Sequence, residues 1–268
     1  MSASAEKPPP ELPILRAQDP FPPVAQAWGA EHGAAGLLAV GKDLSLPSLQ
    51  SAYAQGIFPW FGEGEPILWW SPDPRMVLPV ADFKLHPSLK RRLKQFVRRP
   101  SCEIRVDHDF AAVVAACASS PRAGQAGTWI VPAMQAAYLD LHRAGLAHSI
   151  EAWVDGQLAG GLYCSAMGQA VFGESMFARA TDASKIALAA LVAFCAAQGI
   201  ARIDCQQNTR HLASLGAAPL PRSLFVQQVA LAVQKPAPVW QFDKGILRGL
   251  WQESAEEMLG EGEDESRG

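Results

Sequence analysis

Long apolar runs are missing from this 268-residue sequence. The most apolar run, Ile186–Ala197, is shorter than the roughly 20 residues that a membrane-spanning helix needs, so it predicts a buried helix. The N-terminus lacks the basic-then-apolar order of a secretory signal. The five cysteines form no CxxC pair and are odd in number, which favours reduced thiols. These absences predict a cytoplasmic protein that does not enter a membrane.

Several catalytic signatures are also missing. The sequence has no Gly-rich phosphate loop, no Gly-x-Ser-x-Gly elbow and no cysteine with an evident histidine partner. Its six histidines are scattered without the spacing of metal ligands. We therefore expect no metal site and no covalent nucleophile.

Charge is present but segregated, although the net charge is only -3. The segment from Lys84 to Arg99 carries seven cations and no acid, and the last residues of the sequence are strongly acidic. On a helix, Lys90, Arg91 and Lys94 cover adjacent surface. Such a run is often only a solvated face, but the absence of interspersed acids favours contact with phosphates.

The order of local patterns predicts a mixed α/β (α+β) protein. Helical patterns precede two runs that flank Asp155-Gly156, a strong hairpin signal, and an apolar helix and a further strand follow. We expect four parts along the chain. They are a Pro-rich flexible arm (1–25), an aromatic-rich N-terminal domain (26–80), a larger C-terminal domain (81–245) and an acidic tail (246–268).

Two polar positions stand out within apolar surroundings. In a strand, Asp204 and Gln206 share one face while Ile203 and Cys205 point the other way, so the polar pair can hydrogen-bond a third group. The alternative is an aspartate that only caps the next helix. Glu174 follows an apolar strand, where an ionised carboxylate needs a partner or a solvated cleft. Placement on a surface loop is equally compatible with the pattern.

Together these motifs are far more specific than each one alone. Their order resembles that of the leucyl/phenylalanyl-tRNA–protein transferases from about Gly36 to Phe225. The matching segments are Gly36–Ala39, Gly56–Phe61, Trp69–Arg75, Gly127–Ile130, His148–Glu151, Gly173–Phe177, Ala183–Lys185, Asp204–Gln206 and Ser214–Ala217.

The resemblance implies an activity and a fold. Members of this family move leucine or phenylalanine, and in our expectation methionine, from aminoacyl-tRNA to an N-terminal Arg or Lys, which marks the acceptor for degradation. The expected partners are thus Leu-tRNA, Phe-tRNA and such acceptor proteins, and no cofactor is expected. The larger domain (81–245) would be the catalytic domain and would resemble an acyl-CoA N-acyltransferase, with a mixed, largely antiparallel sheet, but a fold of this kind does not identify a substrate.

The resemblance also assigns roles to residues. Asp204 would orient Gln206 toward the attacking amine, and Glu174 would attract the acceptor's cation or support this network. An apolar pocket for the donor side chain would be formed by Leu162, Met176, Leu188 and Ile203. Trp60 and Trp129 would meet the 3′ end of the tRNA, and Lys90, Arg91 and Lys94 its acceptor stem.

Three residues depart from the family pattern. Pro87 precedes the basic helix where some relatives carry another basic residue, which weakens one expected phosphate contact. Val171 and Cys195 are smaller than the aromatics associated with their positions, so we expect a wider pocket.

Two other functions compete with this interpretation. An acetyl-CoA-type acyltransferase would need a Gly-rich turn before the Ala183 helix, but Arg179–Asp182 contains no glycine and ends in a carboxylate. A non-catalytic tRNA-binding module would explain the basic helix and Trp60. It would give no reason for Asp204, Gln206 and Glu174 to converge.

Overall fold

A computed structural model describes residues 11–120 and 128–251 of the chain. These residues form eleven strands and seven α-helices. The strands are β1 (Ile14–Leu15), β2 (Leu37–Gly41), β3 (Phe58–Pro59), β4 (Leu68–Trp70), β5 (Arg75–Pro79), β6 (Cys102–Val106), β7 (Ala147–Val154), β8 (Gln157–Met167), β9 (Ala170–Ala178), β10 (Arg202–Gln206) and β11 (Ala218–Leu220). The helices are α1 (Leu46–Ala54), α2 (Pro87–Arg98), α3 (Phe110–Ser119), α4 (Pro132–Arg143), α5 (Ala183–Ala197), α6 (Arg210–Ser214) and α7 (Arg222–Ala232).

The larger sheet has seven strands in the order β11-β5-β10-β9-β8-β7-β6. All neighbours are antiparallel except β9 and β10, which run parallel because α5 connects them. The predicted hairpin is present, with Val154 opposite Gln157 across a turn in which Asp155 and Gly156 both have positive φ. The expected mixed, largely antiparallel sheet is thus confirmed.

Helices cover both faces of this sheet. Along β8, Leu162 and Cys164 join the apolar cluster that contains α2 and α5, whereas Tyr163 and Met167 join the cluster that contains α3 and α4. This alternation follows from the two-residue period of a strand. Gly160 lets the start of α5 approach β8, since a Cβ at residue 160 would lie 2.6 Å from the Cβ of Ala183.

The smaller sheet has the order β1-β2-β4-β3 and shares its core with the α3–α4 side of the larger sheet. Trp69 is fully buried there, and Phe21 packs edge-on against it with ring centroids 4.8 Å apart. The two sheets are therefore joined by one continuous apolar cluster, which fixes α1 of the N-terminal part against α4 of the larger part.

Most predicted elements are confirmed, but one expectation needs correction. Residues 11–25 do not behave as a flexible arm, because β1 pairs with β2 and Phe21 lies in the core. The Asp182 carboxylate, just before α5, pairs with Lys185 and Arg92. Residues 1–10 of the arm, Gly127 and residues 252–268 of the predicted tail lie outside the described residues.

The predicted domain boundary at residues 80 and 81 stays a prediction. It falls immediately after β5, yet β5 pairs with β10 and β11 inside the larger sheet. One strand of the predicted N-terminal domain therefore lies in the sheet of the predicted catalytic domain. Within the described ranges, no helix is both long and apolar enough to span a bilayer.

Candidate active site

Glu174 lies in the middle of β9 and is only 9% exposed. Four side chains donate hydrogen bonds to its carboxylate. Oε1 accepts from the hydroxyls of Tyr53 at 2.6 Å and Ser165 at 2.8 Å. Oε2 accepts from the hydroxyl of Tyr138 at 2.9 Å and from Nε2 of Gln206 at 2.9 Å. The predicted alternative of a surface loop is wrong, because this carboxylate is buried and fully hydrogen-bonded.

The surroundings of Glu174 shift its pKa in opposing directions. Burial raises the pKa of Glu174, and the hydrogen bonds from Tyr53, Ser165, Gln206 and Tyr138 oppose that rise. Burial also raises the pKa values of Tyr53 and Tyr138 well above their usual range, so both remain neutral donors. No Lys, Arg or His in residues 11–120 and 128–251 forms an ion pair with this carboxylate. Dipoles alone surround it.

Gln206 reaches Glu174 because the end of β10 is irregular. A bulge lies between Asp204 and Gln206, and Gln206 has a φ of 61°. Since a carboxylate can only accept, the Gln206 amide nitrogen faces Glu174. The amide oxygen is thereby left for another donor.

Asp204 is 2% exposed and is paired with Arg75, which is fully buried. Arg75 Nε donates to Asp204 Oδ1 at 2.8 Å, and Nη2 donates to Oδ2 at 2.6 Å. The guanidinium lies between the rings of Phe58 and Phe225, and its Nη1 donates to the carbonyl of Gly56 at 3.2 Å. A bidentate pair of this kind fixes both partners.

The bulge changes the predicted relation between Asp204 and Gln206. Asp204 Oδ1 accepts the backbone N–H of Gln206 at 2.8 Å, so it holds the main chain and does not touch the Gln206 side chain. Gln206 itself lines a cavity together with Ile203 and Cys205. Asp204 is therefore a positioning residue.

This cavity, which we call the donor pocket, has a volume of about 120 Å³. Strands β9 and β10 pair at only two positions, Ile203 with Val171 and Asp204 with Phe172, and the pocket lies between the strands beyond those pairs. All four residues expected around the donor side chain line it: Leu162, Met176, Leu188 and Ile203.

Glu174 and Gln206 form the polar wall of the donor pocket. Cys205 also lines it, and burial raises the pKa of Cys205 to about 12, so this thiol stays protonated. Val171 and Cys195 do not line the pocket, which removes the basis for expecting a wider one.

Trp60 and Trp129 line a second and larger cavity of about 930 Å³. Trp60 packs edge-on against Trp70 with centroids 5.5 Å apart, and Trp70 donates its indole N–H to the Trp60 carbonyl at 2.7 Å. No described residue lines both this cavity and the donor pocket. The structure thus brings the two tryptophans together but places them apart from the donor pocket.

The predicted basic cluster lies on α2, which begins at Pro87 and buries Leu89, Leu93 and Phe96. Arg91 is exposed and Lys90 and Lys94 are half-buried. Among the described residues none of these three cations has a carboxylate partner, whereas the neighbouring Arg92 pairs with Asp182. No group of three or more His, Cys, Asp or Glu in the described ranges has the arrangement of a metal site.

Four residues of this site were not predicted: Tyr53, Tyr138, Ser165 and Arg75. Tyr53 and Tyr138 occupy core positions of α1 and α4, so their pattern is that of ordinary apolar helix faces. Ser165 lies in a continuous buried strand. Only Arg75 gave a signal, since a cation next to a buried strand needs a partner.

Comparison with known proteins matches both parts of the chain. The profile described as "Leucyl/phenylalanyl-tRNA protein transferase" matches residues 77–230, and its N-terminal domain profile matches residues 42–73. The leucyl/phenylalanyl-tRNA–protein transferase of Albidiferax ferrireducens is 58% identical over 91% of this chain and 95% of its own. Those of Polaromonas sp. JS666 and Burkholderia ambifaria are 61% and 56% identical, over 87% and 89% of this chain and 91% and 94% of theirs.

Proposed function

The chain belongs to the leucyl/phenylalanyl-tRNA–protein transferase family and is thus an aminoacyltransferase; from that premise we propose its donors, acceptors and mechanism. The donors are leucyl-tRNA and phenylalanyl-tRNA. The acceptors are proteins with Arg or Lys at the N-terminus. The observation that carries this proposal is Glu174, a buried carboxylate beside an apolar pocket that has four hydrogen-bond donors and no cation among the described residues.

Such a carboxylate favours a cationic ligand. A buried negative charge held only by dipoles gains from an ion pair, and the low dielectric of the site strengthens that attraction. The N-terminal residue of an Arg or Lys acceptor carries a cationic side chain and an α-ammonium group. Glu174 therefore draws the acceptor toward the donor pocket and disfavours acidic N-termini.

The reaction is aminolysis of an ester. The acceptor's neutral α-amine attacks the aminoacyl carbonyl carbon, a C–N bond forms, and the C–O bond to the terminal ribose breaks. The displaced ribose oxygen takes up the amine proton. Because an α-amine has a pKa near ~8, a fraction is neutral in the cell, and positioning supplies most of the catalysis.

Gln206 positions this amine. Its Nε2 is committed to Glu174, so its Oε1 is available to accept an N–H of the attacking amine. A neutral amide is a weak base, and we assign Gln206 to orientation and not to proton removal. Asp204 accepts the backbone N–H of Gln206, and Arg75 holds Asp204 in place. Both residues therefore act on the amine only through Gln206.

The donor side chain enters the donor pocket. Its apolar lining of Leu162, Met176, Leu188 and Ile203 selects by size and shape, at roughly 1–3 kcal/mol for each methylene. Leucine, phenylalanine and methionine can all bind such a surface, whereas a charged side chain would lose its hydration without compensation.

The tRNA contacts two surfaces outside that pocket. Trp60 and Trp129 offer aromatic faces to the terminal adenosine in the larger cavity. Lys90, Arg91 and Lys94 bind phosphates of the acceptor stem. The ester already activates the amino acid, so we propose that no cofactor is needed. Transfer takes place in the cytoplasm and marks the acceptor for degradation.

The test is transfer of radiolabelled leucine from leucyl-tRNA to peptides that differ only in their first residue. We expect labelling of Arg- and Lys-initiated peptides and no labelling of a Glu-initiated or N-acetylated peptide. Phe-tRNA and Met-tRNA report the donor range, and a Lys-tRNA is the negative donor. Absence of transfer while the tRNA remains charged would refute the proposal, and equal transfer to the Glu-initiated peptide would refute its acceptor assignment.

A further inference from the structure

The exposed side of α2 and its flanks carries an excess of positive charge. Arg92 and Arg99 pair with Asp182 and Asp155. The other cations of this segment have no carboxylate partner among the described residues: Lys84, Lys90, Arg91, Lys94 and Arg98. We call these five residues the basic face. Neighbouring unpaired cations repel one another. The binding of an anion to the basic face is therefore favourable.

The last described residues lie against α2, the helix that carries most of this face. The 3₁₀-helix Lys244–Leu250 contacts α2 and α5. Leu250 and Trp251 pack against the same apolar cluster that contains Leu89 and Leu93 of α2. Trp251, the last described residue, is therefore held in the apolar cluster that α2 shares.

Residues 252–268 are strongly acidic. They contain one arginine, Arg267, and seven carboxylates: Glu253, Glu256, Glu257, Glu261, Glu263, Asp264 and Glu265. No other segment of comparable length in the sequence has this charge density of negative sign. The chain thus joins its most acidic segment to a point beside its most basic helix.

The reach of this segment is sufficient. A helix rises 1.5 Å per residue, so the twelve residues of α2 span about 18 Å. An extended chain covers roughly 3.3–3.6 Å per residue, and about six residues span the same distance. Residues 252–268 can therefore bring all seven carboxylates to the basic face.

We propose that the basic face binds residues 252–268 of its own chain, and that this acidic segment competes there with the phosphates of tRNA. The competition rests on the proposed function, because it assigns the tRNA acceptor stem to Lys90, Arg91 and Lys94. The binding of the acidic segment itself does not depend on that assignment.

The expected effect is moderate. Exposed ion pairs are weak individually, at about 0–1 kcal/mol each, and salt screens them. Covalent attachment provides an effective concentration in the millimolar range, which allows weak binding to compete. We therefore expect the segment to weaken tRNA binding about fivefold at low salt and to act through the apparent KM for aminoacyl-tRNA, with kcat unchanged.

The test uses the full-length chain with its six tail glutamates changed to Gln and Asp264→Asn, which keeps the length and removes the charge. Relative to the natural chain, this neutral-tail variant should bind leucyl-tRNA about fivefold more tightly at low salt, and the difference should vanish at high salt. Adding Lys90→Ala, Arg91→Ala and Lys94→Ala to both chains should abolish the difference. Unchanged affinity, or a difference that survives those three substitutions, would overturn the proposal.

A second measurement separates this proposal from the proposed function. A labelled synthetic peptide of residues 252–268 is added to the neutral-tail variant without tRNA, and its fluorescence anisotropy is recorded. Salt-sensitive binding that is lost in the Lys90→Ala, Arg91→Ala, Lys94→Ala variant supports the contact even if no aminoacyl transfer is found. No binding of the peptide would overturn the contact, whatever the result of the transfer assay.

Discussion

Two buried carboxylates lie on neighbouring strands of the same sheet and are stabilised in opposite ways. Asp204 on β10 forms a bidentate ion pair with the fully buried Arg75. Glu174 on β9 accepts four hydrogen bonds and pairs with no cation among the described residues. Asp204 also accepts the backbone N–H of Gln206, whereas Glu174 lines the donor pocket.

Under the proposed function, this difference separates a positioning residue from a residue that contacts substrate. The charge of Asp204 is compensated inside the protein, so no ligand is needed to balance it. The charge of Glu174 is held by neutral dipoles and is still able to attract a cation from outside. Burial of both carboxylates therefore does not imply that they have the same function, because their partners differ.

The largest expected effect is a loss of stability when Asp204 loses its cationic partner. Arg75→Met leaves the Asp204 carboxylate buried without a counter-charge, which typically costs about 3–5 kcal/mol. We expect a loss of that size in the free energy of unfolding, measured with urea, together with loss of transfer activity. Replacing the four hydrogen-bond donors of Glu174 one at a time should not lower the free energy of unfolding by this amount.

The double variant Arg75→Met, Asp204→Leu is the matched control. Replacing both members of a buried pair by apolar residues is often close to neutral, so stability should recover in part. Activity should not recover, because the backbone N–H of Gln206 has lost its acceptor. Recovery of activity with stability would contradict a positioning role for Asp204.

The next largest effect is a loss of activity when the charge of Glu174 is removed. Glu174→Gln removes the charge with little change of shape, and we expect kcat/KM to fall about 100-fold, the equivalent of roughly 2.7 kcal/mol. At neutral pH, the same substitution should increase the free energy of unfolding. Because the folded-state pKa of Glu174 is raised, stability of the natural protein decreases as the pH rises from the ordinary glutamate pKa through the raised one.

Urea unfolding across that pH window measures this contribution. Glu174→Gln should remove the decrease, so the variant gains stability relative to the natural chain as the pH rises. A variant that loses stability as well as activity at neutral pH would indicate that Glu174 is a structural carboxylate like Asp204.

The sequence predicted much of the fold because its local signals agree with the tertiary structure. The Asp155-Gly156 turn adopts the positive φ values that its residues favour, and the apolar run from Ile186 forms a buried helix. Residues 11–25 were mispredicted because a two-residue strand and one buried phenylalanine leave no periodic pattern. Their order comes from contacts with distant residues.

The site was predictable only in part, for a similar reason. The motif around Gln206 indicated polar chemistry, but a regular strand was assumed, and the bulge that turns Gln206 into the pocket has no sequence signature. Tyr53 and Tyr138 approach Glu174 from helices that lie far away in sequence. Hydrogen bonds between distant elements cannot be read from spacing along the chain.

A smaller effect concerns the pH dependence of transfer. The proposed function requires ionised Glu174, so activity should fall as the pH decreases through the raised pKa of this group. Tyr53→Phe removes the hydrogen bond that lowers that pKa most, and Ser165→Ala removes the next. Both variants should move the acidic limb of kcat/KM to higher pH, Tyr53→Phe further than Ser165→Ala. An unmoved limb would mean that another group controls it.

The smallest effect tests directly whether Glu174 binds a cation. Argininamide at a concentration near its Kd should stabilise the natural protein by about 0.4 kcal/mol and raise Tm by about 1 °C, measured by differential scanning fluorimetry. Glutaminamide keeps the α-ammonium group without the guanidinium, and N-acetyl-argininamide keeps the guanidinium without the ammonium, so the pair identifies the group that is bound. Glu174→Gln should abolish the shift, because a neutral amide offers no ion pair. A shift of equal size in that variant would place the cation elsewhere and would remove the functional distinction between the two buried carboxylates.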